Sequence, residues 1–326
     1  MSLRGERPEW PGGTGVRTLV PMLSPAVLPS PVAELPDPGP VLASAGVALR
    51  LKRDDLIHAT VPGNKWRKLT PNLRAAADLG HTRLLTFGGA WSHHIAAVAA
   101  AAAATGFACT GVIRGDELAR APRNPVLAAA EAAGMELVFA DRATYRATLR
   151  ALDKPETRAR LEERFGRCYV LPEGGSNALA ARGAAEIPRE LPGLGPRDVV
   201  CVPVGTGGTL AGIAAGLPPG ATALGVAVLR GGEGYLEGEV TRLQRAAFGR
   251  AFANWRVAHT HHGGGYGRVP PELAAFTEEF ERRHDLPIER RYVAKALHCL
   301  SDLAAAGAFP RGTRLTAVIT GPPDAT

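Results

Sequence analysis

The stretch that decides the fold reads Val202-Pro203-Val204-Gly205-Thr206-Gly207-Gly208-Thr209-Leu210-Ala211-Gly212. An apolar run enters a loop dense in glycine and hydroxyls, and a run of small residues leaves it. Glycines let successive backbone N–H groups converge, and the first turn of a helix adds the positive end of its dipole. The segment therefore reads as strand, phosphate cradle, helix. It is not the dinucleotide fingerprint, because Leu210 stands where the third glycine belongs, and no Gly-Lys-Ser/Thr follows to make a P-loop. A plain tight turn between strand and helix is the competing reading of these residues taken alone.

The same beat repeats to either side. Short apolar runs over 47–52, 83–87, 108–113, 136–140, 168–171, 199–204, 223–229 and 315–319 read as strands. A helix is predicted over 70–79, stopped by Gly80, and a longer alanine-rich one runs from the Gly88-Gly89 loop to Thr105, closed by Gly106. Strands alternating with helices predict an α/β fold with mainly parallel sheets, whose ligands sit at the carboxyl ends of the strands. Residues 1–40, broken by prolines, read as an irregular arm. No internal repeat occurs and composition marks no domain border, so one sheet or two fit equally.

The chain has 326 residues, which suits one large domain or two ordinary ones. Hydrophobic content of 45% and charged content of 21% match globular proteins and allow a sizeable core. The net charge of +7 comes from scattered arginines such as Arg67, Arg83, Arg123 and Arg182, read as a solvated surface. Without a basic stripe interleaved with aromatics, no nucleic-acid partner is expected. Cys109, Cys168, Cys201 and Cys299 lie far apart with no CxxC pair, which suits small buried hydrophobes in a reducing cytosol. The first forty residues carry no signal-peptide core, and the alanine run after Ile95 is too weakly apolar to insist on lipid. A soluble, cytoplasmic protein with no membrane partner is expected.

Three further motifs offer chemistry. In Gly63-Asn64-Lys65-Trp66-Arg67-Lys68-Leu69 a lysine at a strand-to-helix loop could approach a bound aldehyde, although lysines are usually surface charges and one of the two could be decorative. Schiff-base chemistry needs a lysine that reaches the neutral amine, which partial burial favours. Phe87-Gly88-Gly89-Ala90-Trp91-Ser92-His93-His94-Ile95 opens a helix and could bind a carboxylate through N–H groups and the Ser92 hydroxyl; the plain alternative makes Ser92 the helix N-cap. Adjacent histidines diverge on a helix and no acidic or thiol partner stands at ligand spacing, so no metal is expected there. His259, His261 and His262 beside Gly263-Gly264-Gly265-Tyr266 suggest a solvated or substrate-facing loop. Leu171-Pro172-Glu173-Gly174-Gly175-Ser176-Asn177 is again strand, turn, helix, with a capping turn as its ordinary reading.

Taken in order, GNKWRKL, TFGGAWSHHIAAVAA, LPEGGSNALAARG and PVGTGGTLAGI resemble the 1-aminocyclopropane-1-carboxylate deaminase and D-cysteine desulfhydrase family of fold type II pyridoxal-phosphate enzymes. The likeness extends through Arg123-Asn124-Pro125-Val126 to Arg291-Tyr292-Val293-Ala294-Lys295-Ala296 and covers nearly all of residues 29–320. It implies two open twisted, mainly parallel sheets with flanking helices and pyridoxal 5'-phosphate in the cleft between two domains. The large domain would comprise 41–77 and 176–326, the small inserted one 78–175, and the protein would be a homodimer.

The resemblance also assigns roles. Lys65 matches the Schiff-base lysine, and Gly205, Thr206, Gly207, Gly208 and Thr209 match the loop that holds the cofactor phosphate. Ser92 matches a hydroxyl that contacts substrate and assists proton transfer. Tyr292 matches a tyrosine that acts over the cofactor. Asn64 and His93 would lie beside the cofactor, Thr320 would face the pyridine nitrogen, and His94 and Tyr266 would line the substrate pocket. The implied reactions take a small amino acid to a 2-oxo acid and ammonia: pyruvate from D-cysteine with loss of sulfide, or 2-oxobutyrate from the cyclopropane amino acid. D-Cysteine comes first, since β-elimination needs only a base and a leaving group. Racemisation or dehydration of D-serine-like substrates belongs to the same fold type, and a non-catalytic cofactor-binding protein is the reading from another class.

Three positions depart from the family pattern. His93 replaces the asparagine that usually meets the cofactor 3-hydroxyl. Val293 stands where deaminases carry glutamate and desulfhydrases threonine, so the discriminating position is silent. Pro322 occupies a usual glycine, where it removes an N–H and fixes the backbone of the pocket wall.

Overall fold

The computed structural model describes residues 26–61 and 63–323. In chain order these form β1 (Val32–Leu35), α1 (Pro40–Ala45), β2 (Ala48–Lys52), α2 (Asn64–Asp78), β3 (Arg83–Gly88), α3 (His93–Thr105) and β4 (Ala108–Arg114). Then follow α4 (Pro125–Ala132), β5 (Met135–Ala140), α5 (Arg142–Arg150), α6 (Pro155–Phe165), β6 (Tyr169–Leu171), α7 (Ala178–Ala184) and α8 (Glu186–Arg189). The last part comprises β7 (Asp198–Val204), α9 (Gly208–Gly216), β8 (Thr222–Ala227), α10 (Tyr235–Phe248), β9 (Trp255–Ala258), α11 (Pro271–His284), α12 (Val293–Ala305) and β10 (Arg314–Val318).

The strands form two sheets, a six-stranded one ordered β1-β2-β10-β7-β8-β9 and a four-stranded one ordered β5-β4-β3-β6. Every pairing is parallel except β1 with β2. Helices cover both faces, which explains why the strands read as near-continuous apolar runs. On the large sheet, Leu51, Cys201, Leu224 and Leu315 pack with Val293 and Leu297 of α12. On its other face, Val200, Val202 and Val318 pack with Leu210 and Ile213 of α9. On the small sheet, Leu84 and Ile113 meet Ile95 and Val98 of α3, while Leu85, Phe87 and Val112 meet Tyr145. All four cysteines are free and buried, as small hydrophobes should be. Among the described residues, no helix is long and apolar enough to cross a membrane.

The structure corrects three expectations. The stretch read as an irregular arm contains β1, which pairs Val32 with Lys52 and Leu35 with Leu49; residues 1–25 lie outside the described residues. The predicted helix over 70–79 begins six residues earlier, at Asn64, so Lys65 stands in the first helical turn and Pro71 in its interior. Pro71 has no N–H to give Arg67 four residues back. Gly183 of α7 packs at that spot, where a Cβ would lie 2.0 Å from the Arg67 carbonyl oxygen. Finally, Arg67 belongs to no solvated surface: it is 3% exposed. Its guanidinium donates to Asp54 and Glu190 at 2.8 Å each, and Lys52 reaches Glu190 at 2.7 Å. Ser30 closes this buried network by donating to Asp54 at 2.7 Å.

Candidate active site

Lys65 sits where α2 starts. The preceding Gly63 adopts φ 73°, and a Cβ there would fall 1.9 Å from the Thr320 carbonyl oxygen. The Asn64 N–H donates to that same oxygen at 3.2 Å, so the residues following β10 fix the start of α2. Asn64 in turn holds the lysine: its Oδ1 accepts from Lys65 Nζ at 2.7 Å, and its Nδ2 donates to Thr209 Oγ1 at 2.9 Å. The hydroxyl of the glycine loop is thereby tied to the lysine turn. Burial lowers the Lys65 amine to about 8, with Glu289 as a weaker opposing influence. About a tenth of the amine is then neutral at pH 7, far more than for an ordinary lysine.

Lys68 is the residue sequence reasoning undervalued. It lies one helical turn after Lys65, on the same face, and is only 3% exposed. Its Nζ donates to the Gly174 carbonyl and, at 2.9 Å, to Ser176 Oγ. Burial, with Lys65 beside it, pushes its pKa well below the ordinary lysine value. The i, i+3 spacing of the two lysines was the available signal.

The glycine loop closes the same space. Gly207 takes φ 79° ahead of α9, and a Cβ at Gly208 would meet Ser176 Oγ at 2.5 Å and Lys68 Nζ at 3.3 Å. Thr206 Oγ1 lies 2.6 Å from Ser176 Oγ. Gly205 leaves the Tyr292 ring 3.9 Å from where its Cβ would be.

Ser92 is the N-cap of α3, yet its side chain makes no capping hydrogen bond. Ser92 lines the cleft. His93 packs its ring 5.5 Å from that of Tyr292. His94 is buried, its Nε2 2.8 Å from Thr86 Oγ1, while its Nδ1 has no protein partner. Burial, then Lys68 and Lys65, hold its pKa well below the usual histidine value, so the ring is neutral.

Tyr292 caps α12, where Glu289 accepts from the N–H groups of Arg291 and Tyr292 at 2.7 Å and of Val293 at 3.1 Å. Burial, then the neighbouring Tyr266, raises the Tyr292 phenol well above its ordinary value, so it keeps its proton. The Tyr266 ring meets it edge-on at 6.1 Å.

All thirteen residues singled out from the sequence, from Asn64 to Thr320, line one cleft, joined by Lys68, Arg114 and Glu173. Val293 points elsewhere: it is 1% exposed and packed in the core. Pro322 is exposed and outside the cleft lining, so the wall there is made by Thr320. His259 pairs with Glu237 and His261 with Asp302, and no group of three metal-ligating side chains forms among the described residues.

The family model described as pyridoxal-phosphate dependent enzyme matches residues 23–321. The chain belongs to that family. A D-cysteine desulfhydrase from Klebsiella pneumoniae (strain 342) is 31% identical over 276 residues, 79% of this chain and 81% of that protein. The crystal structure of an ACC deaminase homologue superposes with a TM-score of 0.77 at 26% identity, covering 92% of this chain and 91% of that one. Serine racemase from Dictyostelium discoideum, with TM-score 0.63, 15% identity and coverage of 90% and 92%, shares the fold. This pyridoxal-phosphate enzyme is of fold type II, in keeping with its two mainly parallel sheets.

The residues present fit the cofactor. The space that a Cβ at Gly208 would fill lies beside the Lys68 amine and two hydroxyls, a donor set suited to a phosphate. The Lys65 amine, shifted toward neutrality, is suited to an aldehyde.

Proposed function

We propose that the protein is a lyase or deaminase of a small amino acid, D-cysteine first, releasing a 2-oxo acid and ammonia. The observation that carries this reading is the convergence of Lys65, Ser92 and Tyr292 with the 205–209 loop on one cleft. The relative named D-cysteine desulfhydrase supports the choice of substrate.

When bound, pyridoxal phosphate supplies an electron sink for charge developing at the substrate Cα. Lys65 would attach it, and Asn64, His93 and Thr320, which line the same cleft, would flank it. Gly205, Thr206, Gly207, Gly208, Thr209 and Lys68 would hold its phosphate. The N–H groups at the start of α3 and the Ser92 hydroxyl hold the substrate carboxylate, with His94 as a neutral wall beneath them. The Lys65 amine, freed when the substrate amine takes its place, would take the Cα proton. Tyr292, protonated at rest, would pass its phenol proton to the departing sulfur, with the Tyr266 ring edge-on beside it. Hydrolysis of the enamine left after sulfide departs yields pyruvate and ammonia.

Val293 lies in the core and brings neither carboxylate nor hydroxyl to the cleft, so that position favours neither elimination nor ring opening. The superposition on an ACC deaminase homologue keeps the cyclopropane amino acid as the second reading. The resemblance carries a homodimer with it. Four free thiols suit a reducing cytoplasm.

The test is an absorption spectrum of the purified holoenzyme with D-cysteine and then 1-aminocyclopropane-1-carboxylate, coupled to keto-acid release. A visible band that shifts on D-cysteine, with pyruvate formed and both lost in Lys65→Ala, is expected. A stable band with no keto acid from any small amino acid would overturn the reading in favour of a non-catalytic cofactor-binding protein.

A further inference from the structure

Lys295 is fully buried, and no step above uses it. It lies in the first turn of α12, three residues after Tyr292 and so one helical turn along. Its Nζ donates to the Gly265 carbonyl at 3.0 Å. That carbonyl belongs to a loop in which Gly263, Gly264, Gly265 and Gly267 all have positive φ, from 61° to 131°. A backbone so rich in glycine loses more freedom on ordering than any other, and its own turn bonds are local, from Gly264 and Gly265 to His262 and from Arg268 to the Gly265 carbonyl. Gly263 also packs onto the lysine stem, where a Cβ would sit 3.3 Å from Lys295 Cε.

The one side chain the loop carries between residues 263 and 267 is Tyr266. It lines the cleft, faces Tyr292 edge-on and lies 4.0 Å from where a Cβ would project at Gly89. We propose that Lys295 is a positioning residue, whose buried bond to Gly265 sets the 263–267 loop so that Tyr266 stands against Tyr292. One helix then places both tyrosines, Tyr292 at its N-cap through Glu289 and Tyr266 through Lys295. Burial lowers the Lys295 amine to about 8, Glu289 opposing. The tether survives that titration, because both the ammonium and the neutral amine keep N–H donors. The effect on turnover rests on the reading of Tyr292 given above, whereas the tether itself does not.

Hydrogen exchange on the holoenzyme tests the tether directly. In Lys295→Met, amides of 263–267 are expected to exchange about tenfold faster or more, while 293–305 stays protected. Unchanged exchange in the loop, or equal opening of α12, would overturn the proposal. Turnover supplies the second arm. Lys295→Met should lower kcat about tenfold with KM within about twofold, and should add less than about twofold to the loss caused by Tyr266→Ala. Losses that multiply would show that Lys295 does not act through Tyr266. If Lys295→Met fails to fold, Lys295→Gln, with a donor one bond shorter, carries the same cycle. A wild-type protein silent toward every amino acid sinks the functional reading and leaves exchange to judge the tether.

Discussion

Arg67 and Lys68 are neighbours on α2, each 3% exposed, yet their surroundings differ completely. Burial opposes the Arg67 charge, but the bonds to Glu190 and Asp54 more than offset it and raise its pKa. Lys68 and Lys65, on the other face, have a carbonyl, a serine hydroxyl and an asparagine oxygen as hydrogen-bond acceptors, and burial lowers both. Pairing with carboxylates keeps a buried cation charged and makes it an anchor. Leaving the amine with neutral acceptors keeps it close to deprotonation and open to an anionic or carbonyl ligand. One helix thus holds its position with one face and does chemistry with the other.

The contrast breaks most visibly at Arg67. Arg67→Leu leaves Asp54 and Glu190 buried without their main partner and should cost about 3–5 kcal/mol in chemical unfolding. Lys68→Met should leave unfolding nearly unchanged and instead weaken pyridoxal phosphate about tenfold or more, read by titration of the apoprotein, since charge-assisted bonds to a phosphate are lost. Equal effects on stability from both substitutions would erase the distinction between the faces.

The pH dependence sharpens it. The neutral Lys65 amine is the reactive form, so cofactor attachment should quicken about tenfold per pH unit below about 8 and level off above it. For stability the sign is the same. The folded pKa lies below the ordinary 10.5, so between about 8 and 10.5 the folded chain holds fewer protons, and the Lys65 contribution to stability rises with pH. A rate that goes on rising past 8 toward the ordinary 10.5 would place the amine outside the cleft's influence. The smallest effect is expected from Asn64→Ala, which removes the 2.7 Å bond to Lys65 while leaving the amine in place. Attachment should slow by less than about tenfold, as for one hydrogen bond of about 1 kcal/mol.

Much of this was legible in the sequence, for identifiable reasons. Strands covered on both faces must be apolar throughout, so β3, β4 and β7 stood out between their glycines. β1 and β9, four residues each and half-buried at the sheet edges, gave no comparable contrast. The start of α2 was misplaced because Pro71 resembles a first-turn proline, and nothing local reveals that a glycine on α7 packs where its bond is missing. The cleft residues were found because glycine, hydroxyl and lysine cluster within short motifs. The buried partners of Arg67 lie 13 and 123 residues away, and only the fold brings them together.

β10 occupies the middle of the large sheet, between β2 and β7. Until it inserts, the early pair β1-β2 and the later trio β7-β8-β9 have no shared edge, so a nascent chain emerging from the ribosome cannot complete the sheet before residue 318 is free. The oxygen of Thr320 that seats Lys65 arrives in the same step. Assembly of the reactive turn is therefore a late event in the folding of the molecule, one that a chain interrupted before β10 would never reach.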